Sequence, residues 1–203
     1  MKTTILMSLA ALALTSGAAQ AGGNAAAGQK KAQEVCAACH GEGGAKPTTP
    51  DYPILAGQPA DYLEHTLKAY KSGKRKNPIM AGMAAMVPDE DVAHFAAYFS
   101  QQKLKPAAAK DEKLAAEGQK LWRMGNYAKG IPACSGCHGP TGAGLPAQYP
   151  ALAGQYQEYT EDQLNKFRSG ERANDPEKMM RIIAAKLSDT EIKALAEYIA
   201  GLR

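Results

Sequence analysis

All four cysteines of the 203-residue chain fall in two copies of one phrase. The first copy reads CAACHG, with Cys36, Cys39 and His40; the second, 98 residues later, reads CSGCHG, with Cys134, Cys137 and His138. Two cysteines three positions apart on a helical turn point the same way, so they reach two points on one edge of a flat ring. The histidine that follows approaches the centre of that ring from one face. This is the attachment chemistry of a c-type haem: thioethers to the two vinyl groups and an imidazole to the iron. Two copies imply two covalently attached haem c groups, with Cys36, Cys39, Cys134 and Cys137 holding the rings and His40 and His138 ligating the irons. Zinc fits less well, because paired CxxC motifs of a zinc site lie about 15–20 residues apart. A thioredoxin-like redox pair needs a βαβ setting, which the chain does not spell.

The two phrases sit in a larger repeat. "YPILAGQ" (52–58) returns as "YPALAGQ" (149–155), and "AYKSG" (69–73) as "KFRSG" (166–170), both 97 residues apart. "VPDEDVAHFAAYFS" (87–100) returns as "LSDTEIKALAEYIA" (187–200), now 100 residues apart. Two units of this size are two small domains rather than a solenoid.

The group on the far side of each iron decides function, since an open position binds small molecules and a closed one leaves only electron transfer. The candidates are His65, His94 and the methionines. His65 aligns with Asp162 and His94 with Ala194, so neither recurs. Met80 and Met180 each lie nine residues before the aspartate that starts the closing helix, Asp89 or Asp189. Each is expected in an irregular loop from which a thioether swings onto iron. Met83 is the rival in the first half; Met86 and Met179 are read as gap-fillers. Histidine–methionine ligation favours ferrous iron and a high potential. The other ring nitrogen of each histidine needs a fixed acceptor, and the carbonyls of Pro53 and Pro150 are candidates. Lysines, arginines, tyrosines and Trp122 are candidates for the haem propionates, with Arg181, beside Met180, singled out by its position.

These residues have to be positioned by helices. Each unit predicts an opening helix, 25–35 or 111–124, then the cysteine motif and a Gly- and Pro-rich loop. A middle helix follows, ended by Gly73 or Gly170. The closing helix carries Val92, Phe95, Ala96 and Phe99, or Ile192, Leu195, Ala196 and Ile199, one apolar face at helical period. Ser188 with Glu191 spells a capping box. No strand is expected: the fold is all-α, each domain a few short helices wrapped round its haem, the two related by an approximate two-fold. Pro106 and the alanines of residues 103–110 form a short tether. Domains of this size are marginal by burial alone, and the haem completes each core.

Residues 1–21 read as a cleaved export signal: Lys2, an apolar run too short to span a membrane, and the small-residue site AQA. The domains are then 22–105 and 106–203. Without Lys2 the chain carries 23 basic and 20 acidic residues, spread evenly. That balance argues against nucleic acid, whose binders show basic stripes.

With "P-x-L-A-G-Q", "M-x-G-M" at 80–83 and the closing "MMRIIAAKLSDTEI…YIAGLR", the chain resembles the di-haem cytochromes c of the cytochrome c4 family over essentially its whole mature length. The resemblance implies two cytochrome c domains head to head, with Met80 and Met180 as the methionine ligands. It implies a monomeric periplasmic carrier with peripheral membrane association. Such a carrier docks transiently between a respiratory donor and a terminal haem–copper oxidase or other reductase. The competing expectations are the di-haem electron-accepting subunit of a flavoprotein dehydrogenase and, against the paired methionines, a di-haem peroxidase.

Overall fold

The computed structural model describes residues 22–146 and 148–203; the expected export signal lies outside the described residues. The first half contains α1 (Ala25–Val35), α2 (Ala37–His40), α3 (Ala60–Lys71), α4 (Pro78–Ala85) and α5 (Val92–Ser100). The second repeats the order with α6 (Glu112–Met124), α7 (Ser135–His138), α8 (Gln157–Ser169), α9 (Met179–Ala184) and α10 (Asp189–Gly201). Among the described residues β-structure is limited to two isolated bridges, Asn126 with Ile131 and Leu145 with Tyr149.

Each half is built on its opening and closing helices, which cross at a glycine. A Cβ on Gly28 would stand 2.0 Å from the His94 carbonyl oxygen, and one on Gly118 1.9 Å from that of Ala194. Only a residue without a side chain lets the backbones touch there. The apolar face of α5 buries Val92, Phe95 and Phe99 against Ala32 and Val87. That of α10 buries Ile192, Leu195 and Ile199 against Leu121, Trp122 and Ile131. Each such side chain contributes about 1.5–3 kcal/mol when fully buried. Asn24 caps α1 through the backbone N–H groups of Ala26 and Ala27, Asp111 caps α6, and the Ser188–Glu191 capping box closes α10.

Two expectations need correction. Met80 and Met180 are not in irregular loops but on the short helices α4 and α9. Asn77 accepts from the Met80 N–H and Pro78 fixes the first turn, so the chain enters a helix at once. The connection at residues 103–110 is likewise more than a tether. Ala107 donates its N–H to the Gly154 carbonyl (2.8 Å), and the Ala107 and Ala108 carbonyls accept from Arg203 and Gln157. The linker is thereby strapped to the second half.

The halves pack through contacts that exchange on adding 97. Gln155 accepts from the Ile54 N–H (3.0 Å) and donates to the Ile54 carbonyl (3.1 Å). Gln58 does the same to Ala151, at 2.7 and 3.0 Å. Arg75 donates to the Tyr159 hydroxyl (2.9 Å) and Arg172 to that of Tyr62 (3.1 Å). Contacts of the form i–j and j–i are the mark of a two-fold.

Candidate haem sites

The cysteine phrase forms one helical turn in each half, α2 and α7, ended by Gly41 or Gly139 in a positive-φ conformation. This brings His40 and His138 inward, each only 7% exposed. The His40 Nδ1 lies 3.0 Å from the Pro53 carbonyl oxygen, and the His138 Nδ1 lies 3.0 Å from that of Pro150. A carbonyl only accepts, so Nδ1 carries the proton and the lone pair falls on Nε2, which has no hydrogen-bond partner among the described residues. Burial pushes both imidazoles down and the proline carbonyl only partly offsets it, so both are neutral. A buried neutral imidazole with one nitrogen fixed and the other unspent is a metal ligand's arrangement. Tyr52 and Tyr149 stand against these rings, 6.1 Å between centroids in both halves.

No cysteine is paired in a disulfide. Burial pushes the Cys36 and Cys134 thiols up to about 11. They are protonated at neutral pH, which does not suit a redox nucleophile. No three His, Cys, Asp or Glu side chains converge on a metal among the described residues. The donor set therefore fits a ring held by thioethers with an iron brought by the ring.

The methionine side is matched in register. Residues 81–90 and 181–190 have the same burial at every position. Met80 thus stands where Met180 stands, both half-buried, and Met83 stands where Ile183 packs against the core. Met86 is exposed, and the Met179 sulfur accepts weakly from the Tyr149 hydroxyl at 4.0 Å. His65 is exposed on α3, and His94 accepts from the Asn24 N–H (2.9 Å), a bond that ties α1 to α5.

The cytochrome c family profile matches twice, over residues 25–103 and 115–203. The cytochrome c4 of Pseudomonas aeruginosa is 46% identical over 204 residues, covering 100% of both chains. The chain belongs to the cytochrome c4 family. The solved structure of reduced recombinant cytochrome c4 from Pseudomonas stutzeri matches with a TM-score of 0.85 at 44% identity, covering 89% of this chain and 100% of that one. A thiosulfate dehydrogenase electron acceptor from Thiomonas intermedia is 39% identical, covering 82% of this chain and 77% of its own. Like the rest of the cytochrome c4 family, the chain carries two covalently bound haem c groups.

A haem also brings carboxylates, and the domain interface holds two arginines that bond only neutral groups. Arg75 is 4% exposed, yet it bonds only neutral groups, Tyr159 and Gln163, and Arg172 likewise bonds Tyr62, Gln163 and Asn174. Neither makes an ion pair among the described residues. Burial raises the Tyr62 phenol, but Arg172 and Arg75 pull it down to about 8. Buried cations without counter-charge are costly. The two residues named individually from the sequence, Trp122 and Arg181, have other partners. Trp122 is fully buried and donates to the Pro140 carbonyl (3.3 Å), and Arg181 is committed to Asp175 (2.7 Å). The interface arginines and tyrosines recur 97 residues apart, but nothing local in the sequence marks them as buried.

Proposed function

We propose that this chain is a periplasmic electron carrier that passes single electrons from the respiratory chain towards a terminal haem–copper oxidase or another reductase, with no substrate chemistry of its own. The observation that carries this reading is the matched pair of sites: each half pairs a buried neutral histidine with a methionine-bearing helix at the same register of the repeat. Cys36 and Cys39 would hold one ring and Cys134 and Cys137 the other. His40 with Met80, and His138 with Met180, would be the axial pairs, closing both irons. The equivalence of Met83 with Ile183 favours Met80 over its rival.

When bound, haem c supplies a one-electron ferric–ferrous couple. The chain does the rest. The Pro53 and Pro150 carbonyls hold each imidazole in one tautomer and orientation. The neutral thioethers favour the reduced state. Arg75 and Arg172, which have no carboxylate partner among the described residues, would offset the ring carboxylates. The domains are 22–105 and 106–203, preceded by an export signal at 1–21. Among the described residues no helix is long and apolar enough to cross a membrane, and any membrane association is peripheral.

The test is carbon monoxide added to the reduced holoprotein. The optical spectrum stays unchanged if both irons are closed; a shift at either haem removes the paired-methionine assignment and raises the enzyme reading. A second reading, the electron-accepting subunit of a dehydrogenase, draws support from the relatives named as thiosulfate dehydrogenase electron acceptors. Reduction by a dehydrogenase with its substrate, and not by a quinol-oxidising complex, would favour it.

A further inference from the structure

We propose that the segment between α6 and Cys134 is the docking point for a redox partner protein that presents an apolar centre ringed by carboxylates. This rests on the carrier reading above and adds where the partner sits. The phrase GQK recurs 90 residues apart, at 28–30 and 118–120, while the cysteine motifs are 98 apart. Eight residues are therefore inserted in the second half. In the first half, α1 ends at Val35, immediately before Cys36.

The insertion is fixed in place. Asn126 and Ile131 exchange both backbone bonds, at 2.8 and 2.9 Å, and the Asn126 side chain accepts from the Lys129 N–H. Lys129 pairs with Glu191 (2.7 Å), and Lys186 donates to the Gly130 carbonyl (2.7 Å). On this rigid base stand Tyr127, 99% exposed, and Met124, 70% exposed, the two most exposed large apolar side chains among the described residues. Isolated exposed hydrophobics mean nothing. Two on one braced turn, next to Arg123, combine the residue types enriched at interface centres, Tyr, Met and Arg. Their presentation needs no further ordering on binding.

Charge selects the occupant. Glu191 balances Lys129, whereas Arg123 has no carboxylate partner among the described residues and Lys186 is spent on a carbonyl. The surround is left positive, complementary to a partner's carboxylates. Position suits electron transfer. Ile131 at the base of the insertion is buried in the same cluster that Cys134 packs against, and Lys186 lies on the segment that follows Met180. The turn thus joins both flanks of the second haem site.

The test follows electron exchange of the holoprotein with a purified haem–copper oxidase in detergent and with a quinol-oxidising respiratory complex. Tyr127→Ser combined with Met124→Ser should lower the second-order rate with at least one of them about tenfold, as loss of an interface anchor does. Arg123→Glu should slow the same reaction at low salt, the difference fading as salt rises. A small neutral oxidant should oxidise all variants at the native rate. Native rates in the double variant overturn the proposal, as does an equal loss from Met86→Ser, the exposed counterpart of Lys186 in the first half. Native protein that binds phosphatidylglycerol vesicles through Tyr127, with no effect on the detergent-solubilised enzymes, overturns it in favour of a membrane contact. Native protein that exchanges with neither complex overturns the carrier reading itself, and this surface with it.

Discussion

His40 and His138 are held by the same bond to the same residue type, 3.0 Å from Pro53 and Pro150, whereas Met80 and Met180 reach their helices by different routes. In the first half six residues separate Gly73 from Met80, and Asn77 with Pro78 starts α4 locally. In the second half nine separate Gly170 from Met180. There the chain passes through Glu177 (φ 48°) and Lys178 (φ 58°), two non-glycine residues in the left-handed region. Such residues cost on the order of 1 kcal/mol or more each. Asp175, its side chain only 4% exposed, offsets this by accepting from both the Arg181 backbone (3.0 Å) and its guanidinium (2.7 Å). The histidine needs a single hydrogen bond to fix its tautomer, so both copies keep one solution. The methionine only has to arrive at a register, and two solutions serve.

The sharpest way to break this equivalence is to remove the thioethers one at a time. Met80→Ala and Met180→Ala should each open one haem to carbon monoxide and lower its potential by on the order of 0.1 V, within the roughly 0.8 V that axial ligands span. Met83→Ala should do neither; redox titration of the three variants decides it. Next in size is the part-buried pair of Asp175 and Arg181, found only in the second half. Asp175→Ala should destabilise that half by about 2 kcal/mol, and should weaken the ferric–thioether charge-transfer band of one haem while sparing the other. Thermal unfolding followed at that band measures both effects.

The glycine crossings test the opposite claim, that the halves are alike. Gly28→Ala and Gly118→Ala should cost similar amounts, about 1–3 kcal/mol each by overpacking, read as a fall in denaturation midpoint. The smallest effect concerns acid. Burial would raise the Glu191 carboxyl, but bonds from Lys129 and Ser188 hold it below the usual glutamate range. A depressed carboxyl lends stability that is full above its unfolded value and is lost as pH falls through the folded one. Glu191→Gln should therefore cost about 0.5 kcal/mol at neutral pH, a deficit that shrinks below about pH 4.3. Urea midpoints across pH 3–7 would show it.

Much of this was legible before any coordinates. The helices are written in the apolar spacing of Val92 to Phe99 and Ile192 to Ile199, and the proline acceptors in the repeated "YPxLAGQ". The helical setting of Met80 was not, because three methionines and three alanines within residues 80–86 carry no amphipathic pattern and the helix rests on Asn77 and Pro78. The interface was not either. Gln58, Tyr62 and Arg75 recur faithfully, but recurrence alone does not separate a residue that holds a cofactor from one that holds the other half. The insertion hid for a third reason: matching the cysteine motifs alone conceals that the helices before them are out of step by eight.

At the centre of the interface, the exchange of partners fails at one position. Gln163 accepts from both Arg75 and Arg172, at 2.7 Å each, while Thr66, which occupies the corresponding place 97 residues earlier, bonds neither guanidinium. Two glutamines there would compete for the same space between the same donors. A dimer of identical subunits is obliged to put the same residue on both sides of its axis. Joining the halves in one polypeptide lifts that obligation, and here the freedom is used where symmetry would be most crowded.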